Sequence, residues 1–377
     1  MGNGKMKSGW GQRCVAFFKK ETVLCIAAVL AVVSMCINPP SAAYAGYIDW
    51  NTLAMLFSLM AVMKGFQKAG LFVWLGNCLL RRTDTTRKML FALVFLPFFC
   101  SMVITNDVSL ITFVPFALIV LHMAEQDWLV VPLVVLQTVA ANLGSMLTPM
   151  GNPQNLYLYT KSGLSFGKFV LLVLPYAAVS ALCLALLILR CDSVPVQAAP
   201  VQSKLAGPAT LGVYAAGFGL CLLAIFDVLP PLAVAAVVAA VLLFYDRQVL
   251  ASVDYALLGT FIAFFLFIGN LGDVVWFREF LASVLEGHVV LVSVLASQVI
   301  SNVPAALLLS GFTDQWRDLI VGCNLGGLGT LIASMASLIS YKMVAQNSPE
   351  RRNSYLVWFT VCNVGMLVLL LVLNWIL

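Results

Sequence analysis

Charge is scarce in this chain. Lys plus Arg number 21 and Asp plus Glu 16 among 377 residues, 10% in all, against a 62% hydrophobic content. A soluble domain carries roughly 25% charged residues, so a water-soluble globular fold is excluded and a polytopic membrane protein remains. Only two histidines occur, His122 and His288, too few for a multi-histidine metal site. The ten cysteines are scattered through apolar runs without CxxC spacing or histidine partners, which leaves small hydrophobes rather than metal ligands or a disulfide framework. No contiguous basic patch offers itself to nucleic acid. GxSxG, HExxH and any loop able to hold a nucleotide-binding domain are missing as well. The Gly-x-Gly-Asp of an intramembrane aspartyl protease fails because residue 270 is Asn. An enzyme is therefore not expected; an intramembrane hydrolase or a channel stand only as distant alternatives.

What is present is apolar length. A membrane helix needs about 20 apolar residues, and the stretches 22–38, 47–64, 128–149, 167–189, 208–227, 229–245, 254–270, 317–341 and 355–377 approach or meet that. Two pairs of shorter tracts, 89–106 with 108–124 and 288–300 with 303–313, meet at "ITND" and "SNV". Each pair predicts a re-entrant hairpin, because an arm of 11 to 18 residues falls short of the roughly 30 Å hydrocarbon core. Residues 65–80 predict an interfacial amphipathic helix. The fold class expected is an all-α polytopic membrane protein with about nine transmembrane crossings plus two re-entrant hairpins. The apolar stretch 22–37 with "AYA" after it imitates a signal peptide, but the topology needs that helix, and "MGNGKM" lacks the hydroxyl residue of a myristoylation site.

With the N-terminus inside, 17 of the Lys and Arg residues fall on the cytoplasmic side, and only Lys161, Lys168, Arg278 and Arg317 fall outside. That is a positive-inside pattern, expected of a multi-pass protein of the plasma (inner) membrane with a cytoplasmic N-terminus. Three blocks recur in order: "IDWNTLAMLF" (48–57) with "VDYALLGTFI" (253–262), "ITND" (104–107) with "ISNV" (300–303), and "NLGSMLTPMGNPQNLY" (142–157) with "NLGGLGTLIASMASLI" (324–339). Five crossings separate equivalent points, so the two repeats have inverted topology, with Asp49 outside and Asp254 inside. The organisation expected is a cytoplasmic segment 1–21, a first repeat 22–190 (hairpin 89–124, broken helix 128–160), a linker 191–207, a connecting helix 208–228, and a second repeat 229–377 (hairpin 287–313, broken helix 317–344). Inverted repeats with interrupted helices are a signature of secondary transporters.

Four interruptions concentrate the chemistry. In hydrocarbon, irregular backbone is tolerated only where it lines a protein-enclosed cavity, and Gly151 with Pro153 would unwind a spanning helix. Freed carbonyls, Asn and Ser/Thr oxygens suit Na⁺, and half-helix N-termini suit an anion. The candidate ion- or substrate-binding residues are Thr105, Asn106, Asp107, Thr148, Gly151, Asn152, Asn155, Ser301, Asn302, Thr330, Ser334 and Ser337, with Na⁺ possible at Asn106, Asp107 and Asn152. Asp107 is singular. No charged side chain precedes it back to Met89 or follows it as far as Leu121, and intramembrane ionisable residues are functional by default. Gly144 and Gly326, in the repeated "NLG", read as close-packing positions. No cofactor is expected beyond Na⁺ or H⁺ as coupling ion. No Arg or Lys is expected near the predicted site, so an anion would be held by dipoles, amides and co-bound cations.

At these residues the chain resembles the ion transporter superfamily of divalent-anion/sodium symporters, citrate transporters, arsenite permeases and a branch of sodium/proton antiporters. "IDWNTLAMLF…KAGLFVWL", "TND" before a Pro-containing helix, "GNPQN" and "SNVP" carry the resemblance. It implies ion-coupled secondary transport of a small anion, hairpins entering from opposite sides, a homodimer and elevator-type motion. It also implies Asn106 and Asn302 at the hairpin tips, and Asn152 with Ser334 at the helix breaks. Both tips of the sodium–dicarboxylate branch resemble Ser-Asn-Thr, whereas here they read Thr105-Asn106-Asp107 and Ser301-Asn302-Val303. An Asn-Asp tip is more similar to the arsenite and antiporter branches, so an arsenite-type permease or a sodium/proton antiporter using Asp107 is the alternative reading.

Overall fold

A computed structural model describes residues 21–42, 44–196, 201–272 and 274–377. The expected N-terminal segment, apart from Glu21, and residues 197–200 of the linker lie outside them. The described chain is helical almost throughout, with one isolated antiparallel β-bridge between Thr85 and Pro195.

The first half runs α1 (Thr22–Ser34), α2 (Trp50–Lys68), α3 (Leu71–Leu80), α4 (Thr86–Cys100), α5 (Asn106–Met123), α6 (Val130–Ser145), α7 (Pro153–Ser162) and α8 (Phe166–Leu189). After α9 (Pro208–Ile225), the same order recurs as α10 (Pro231–Tyr245), α11 (Tyr255–Gly272), α12 (Val275–Leu285), α13 (Val289–Ile300), α14 (Asn302–Ser310), α15 (Trp316–Leu325), α16 (Met335–Asn347) and α17 (Arg352–Ile376). Local chemistry repeats too. Asp49 Oδ1 accepts from the Thr52 N–H at 3.0 Å and Asp254 Oδ1 from the Leu257 N–H at 2.9 Å, each satisfying an orphan donor of a first turn.

Contacts between the halves are reciprocal. α1 packs chiefly on α11 and α10 on α2; α16 meets α5 and α6, while α7 meets α14 and α15. Each of these contacts has a counterpart with the halves exchanged. The helices also sort into two packed groups: α1, α2, α9, α10 and α11 in one, and α4 to α8 with α13 to α17 in the other. α6 is almost wholly buried, whereas α9 and α17 expose most of their apolar surface, as lipid-facing helices do. Helix α3 leaves α2 at 55° and α12 meets α13 at 111°, so both are bent connectors between the groups.

Among the described residues, six helices are long and apolar enough to cross a membrane, or eight if each bent pair is one span; the expected nine is not reached on length alone. The shortfall has a plain cause. α1 and α10 have only 13 and 15 residues, and the second broken helix is divided into arms of 10 and 13. Of the arms expected to form hairpins, α5 has 18 residues and alone suffices in length to cross, whereas α13 and α14 have 12 and 9. Helix α12 was not anticipated as a separate element. It occupies the position in the second half that α3 occupies in the first.

The linker is not a loose spacer where it is described. The Asn77 carboxamide clamps the Val201 backbone on both sides, Nδ2 donating to its carbonyl at 2.7 Å and Oδ1 accepting from its N–H at 2.8 Å. The Thr86 hydroxyl donates to the Asp192 carbonyl, and the Arg87 guanidinium to that of Cys191. Nearby, Gly70 takes φ 77° to end α2, and a Cβ there would meet the Lys204 carbonyl oxygen at 2.5 Å; only glycine fits both conditions.

Candidate functional site

Two chain breaks are built alike. α7 begins after Asn152 (φ −146°, ψ 145°) with Pro153 in the first turn, and α16 begins after Ser334 (φ −141°, ψ 136°). Each break is sewn to the hairpin of its own half. The Thr148 hydroxyl donates to the Met102 carbonyl, and a Cβ on Gly151 would strike the Ser145 and Ser101 carbonyl oxygens. In the second half, the Asn302 N–H donates to the Ala333 carbonyl at 3.0 Å, and the Ser301 hydroxyl to the same oxygen at 3.3 Å. Gly144 and Gly326 do pack closely, their missing Cβ atoms falling on the Phe98 carbonyl and the Ser297 side chain.

Amides then join the halves. Asn142 Oδ1 accepts from Asn106 Nδ2 at 2.8 Å and from the Ser334 hydroxyl at 3.1 Å, and its Nδ2 donates to the Ser337 hydroxyl at 3.4 Å. Asn324, its counterpart in the other "NLG", donates from Nδ2 to Asn155 Oδ1 at 2.7 Å. Asn106, Asn142, Asn155 and Asn324 are all buried. Inside hydrocarbon such bonds replace the water that a polar group would otherwise need.

Between these elements lies a cavity of about 170 Å³, with room for a small solute rather than a single water. Asn106 and Asp107 reach it from one tip, Ser301 and Asn302 from the other, and Asn152 and Ser334 from the two breaks. The remaining predicted residues do not line it. Thr105 caps α5. Thr148 and Gly151 hold the first break to its hairpin, Asn155 and Ser337 bond across the halves, and Thr330 bonds to Gln298 through both its N–H and its hydroxyl. Asp107 Oδ1 is buried with no hydrogen-bond partner, an exception that demands a reason in a native structure.

The family model for citrate transporters (CitMHS) matches residues 14–313 of this chain. The chain belongs to the citrate transporter family. The inner membrane protein YbiR of Escherichia coli is 33% identical over 307 residues, covering 78% of this chain and 80% of its own. An uncharacterized transporter of Methanocaldococcus jannaschii is 32% identical over 303 residues, covering 78% and 81%. The silicon efflux transporter LSI3 of Oryza sativa subsp. japonica is 33% identical over 166 residues, covering 44% of this chain and 33% of its own. This member of the citrate transporter family is thus a multi-pass membrane transporter, not an enzyme.

Several residues of this citrate transporter family member escaped sequence reasoning. Asn142 and Asn324 were visible in the repeated "NLG", but the glycines drew the attention. Gln154, Asp254 and Lys342 also stand in the cavity wall. The expectation that no Lys approaches the site is corrected by Lys342. It lies eight residues beyond Ser334 in sequence, and two turns of α16 bring it to the same cavity.

Proposed function

We propose that this chain is an ion-coupled secondary active transporter of a small anion, using Na⁺ or H⁺ at the first hairpin tip and an elevator-type displacement of α4–α8 with α13–α17 against the other helices. One observation carries the reading: both tips and both breaks converge on one cavity, where a carboxylate oxygen of Asp107 has no partner. A carboxylate kept in that condition suits a cation or proton that comes and goes. Asn106 and Asn152 border the same space and supply further oxygens for Na⁺. The anion would meet amides, hydroxyls and the Lys342 ammonium. Membership of the citrate transporter family supports an anionic solute, and the bent connectors α3 and α12 support relative movement of the two groups.

The cavity wall also carries Glu21, Asp254 and Lys342, all assigned by the charge pattern to the cytoplasmic side. The state described is on this reading inward-facing. The protein would reside in the plasma (inner) membrane with its N-terminus inside, and as a homodimer.

Asp107 itself favours a second reading, exchange of Na⁺ for H⁺ with no organic solute. The deciding experiment follows internal pH in proteoliposomes of the purified protein when a Na⁺ gradient is imposed alone. Sodium-driven pH change that vanishes in Asp107→Asn identifies the exchanger. A silent trace, with anion uptake under a Na⁺ or H⁺ gradient lost in Asp107→Asn, identifies the symporter. Undiminished coupling in the variant would remove Asp107 from either mechanism.

A further inference from the structure

The motif "GNPQN" holds three carboxamides, and they are treated differently. Asn152 Nδ2 donates to the Ser145 hydroxyl at 2.6 Å. Asn155 donates to carbonyls of the first break and accepts from Asn324. Gln154, between them in the first turn of α7, is fully buried, stands in the cavity wall, and has no hydrogen-bond partner at Oε1 or at Nε2.

Burying a whole carboxamide unpaired is costly, and the fold does not require it. The equivalent position in the second half, at the same place in α16, is Ala336, also fully buried. An alanine therefore satisfies the packing at this point of the break. Gln154 adds an amide to one half only, where it breaks the two-fold likeness of the two tips and breaks. A group retained at a cost, in one of two equivalent places, at the wall of the transport cavity, is a group kept for a ligand.

We infer that Gln154 is a specificity-determining residue whose carboxamide reads a small oxyacid or hydroxy acid that retains an O–H beside an acceptor oxygen. The inference rests on the anion-transport reading above and names the chemistry of its solute. Nε2–H donates to the acceptor oxygen and the solute hydroxyl donates to Oε1, so both orphaned atoms are satisfied by one ligand. A fully deprotonated oxyanion serves only Nε2 and sets a lone pair against Oε1. Sites built to bond a substrate hydroxyl reject analogues that lack it, because the site's own polar atoms are then left unpaired. Lys342 is exposed and, among the described residues, is the one cationic residue in the wall, against the acidic Glu21, Asp107 and Asp254. Recognition by a donor–acceptor pair, rather than by concentrated positive charge, agrees with that balance.

The test uses matched probes with the full-length protein in proteoliposomes, under imposed Na⁺ and H⁺ gradients. Hydrogen carbonate is compared with nitrate, hydrogen phosphate with sulfate, and glycolate with acetate; only the first of each pair carries the hydroxyl. Wild type should take up the hydroxyl-bearing member of at least one pair about tenfold faster or more, the factor expected for one hydrogen bond to a buried site. Gln154→Met should abolish that preference while leaving the thermal unfolding temperature unchanged or raised, since the amide has no protein partner to lose. Gln154→Glu should regain the preference in acid solution, where the protonated side chain again has both a donor and an acceptor. Equal uptake within the pairs by wild type would overturn the inference and leave ion-coupled anion transport standing. A Gln154→Met protein that unfolds at lower temperature yet keeps the preference would make the residue structural and overturn it too. Gradient-driven uptake of none of the six by wild type would overturn both this inference and the anion reading.

Discussion

Ser301 turns the second hairpin with φ 74° and ψ 154°, a conformation open to glycine and strained for any residue with a Cβ, at a cost of order 1–3 kcal/mol. It does so at the cavity, with its hydroxyl on the Ala333 carbonyl. Strain held at such a place is a hypothesis of function. Ser301→Gly should therefore raise stability by about 1 kcal/mol net of glycine's entropy, read as a higher unfolding temperature in detergent, while transport falls. A lower unfolding temperature would mean that the Ser301 hydroxyl outweighs the strain. "ISNV" marked this tip in the sequence, because a polar pair between apolar arms has few other places to go. The left-handed backbone was not legible, since serine gives no sign of it.

Among the connecting elements, the linker departs most from its composition. "CDSVPVQAAPVQSKLAG" is polar and rich in Pro and Ala, as spacers are, yet Asn77 grips Val201 at both backbone atoms and Thr86 and Arg87 grip its start. Asn77→Ala removes both bonds to Val201 and a third to the Ser203 hydroxyl, a loss of about 1–3 kcal/mol, and should expose residues 201–207 to proteases that spare the wild type. Unchanged cleavage would show that the other contacts suffice. A second fastening joins α2 to the turn after α10. Lys68 Nζ lies 2.8 Å and 2.9 Å from the two Asp246 oxygens. Partial burial raises the Asp246 pKa, but the Lys68 ammonium, the Val249 N–H and the Tyr214 hydroxyl outweigh it, and the carboxyl is held below its ordinary range. A depressed carboxyl contributes stability above its unfolded pKa, about 3.9, which is lost as pH falls through the folded value. The difference in unfolding temperature between wild type and Asp246→Asn should be constant at neutral pH and shrink below about pH 4. A difference that persists in acid would assign the effect to hydrogen bonding rather than charge.

Across the whole molecule, ion pairs agree with the sides assigned by charge counting. Asp49 pairs with Lys161 at 3.1 Å, both assigned outside, and Lys68 with Asp246, both assigned inside. Contact shows that the partners share a side; which side faces the cytoplasm is a matter for labelling. With single cysteines placed in a cysteine-free background, an impermeant thiol reagent applied to intact cells should modify Lys161→Cys and spare Lys204→Cys. The reverse pattern would invert the topology and make the described state outward-facing.

Composition and apolar run length were enough to establish a helical membrane protein, and the order of three recurring blocks gave the expectation of two related halves, two hairpins and two broken helices. These are one-dimensional properties, because hydrocarbon forces every backbone group to bond within its own helix and so writes each span, and each exception, into local sequence. The tips and breaks were legible for the same reason: polar residues inside apolar tracts need a cavity. Tertiary structure decided which of them share that cavity. Asn155, Ser337 and Thr330 were as polar as Asn152 and Ser334, yet bonds to Asn324, Asn142 and Gln298 took them out of it. Lys342 and Asp254, which the charge pattern assigned to the cytoplasmic side, came into it, and Gln154 was left there with no partner. Hydrogen bonding across the two halves joins residues nearly two hundred positions apart, and no local pattern records which polar atom will find its partner in the chain and which will be left for a solute.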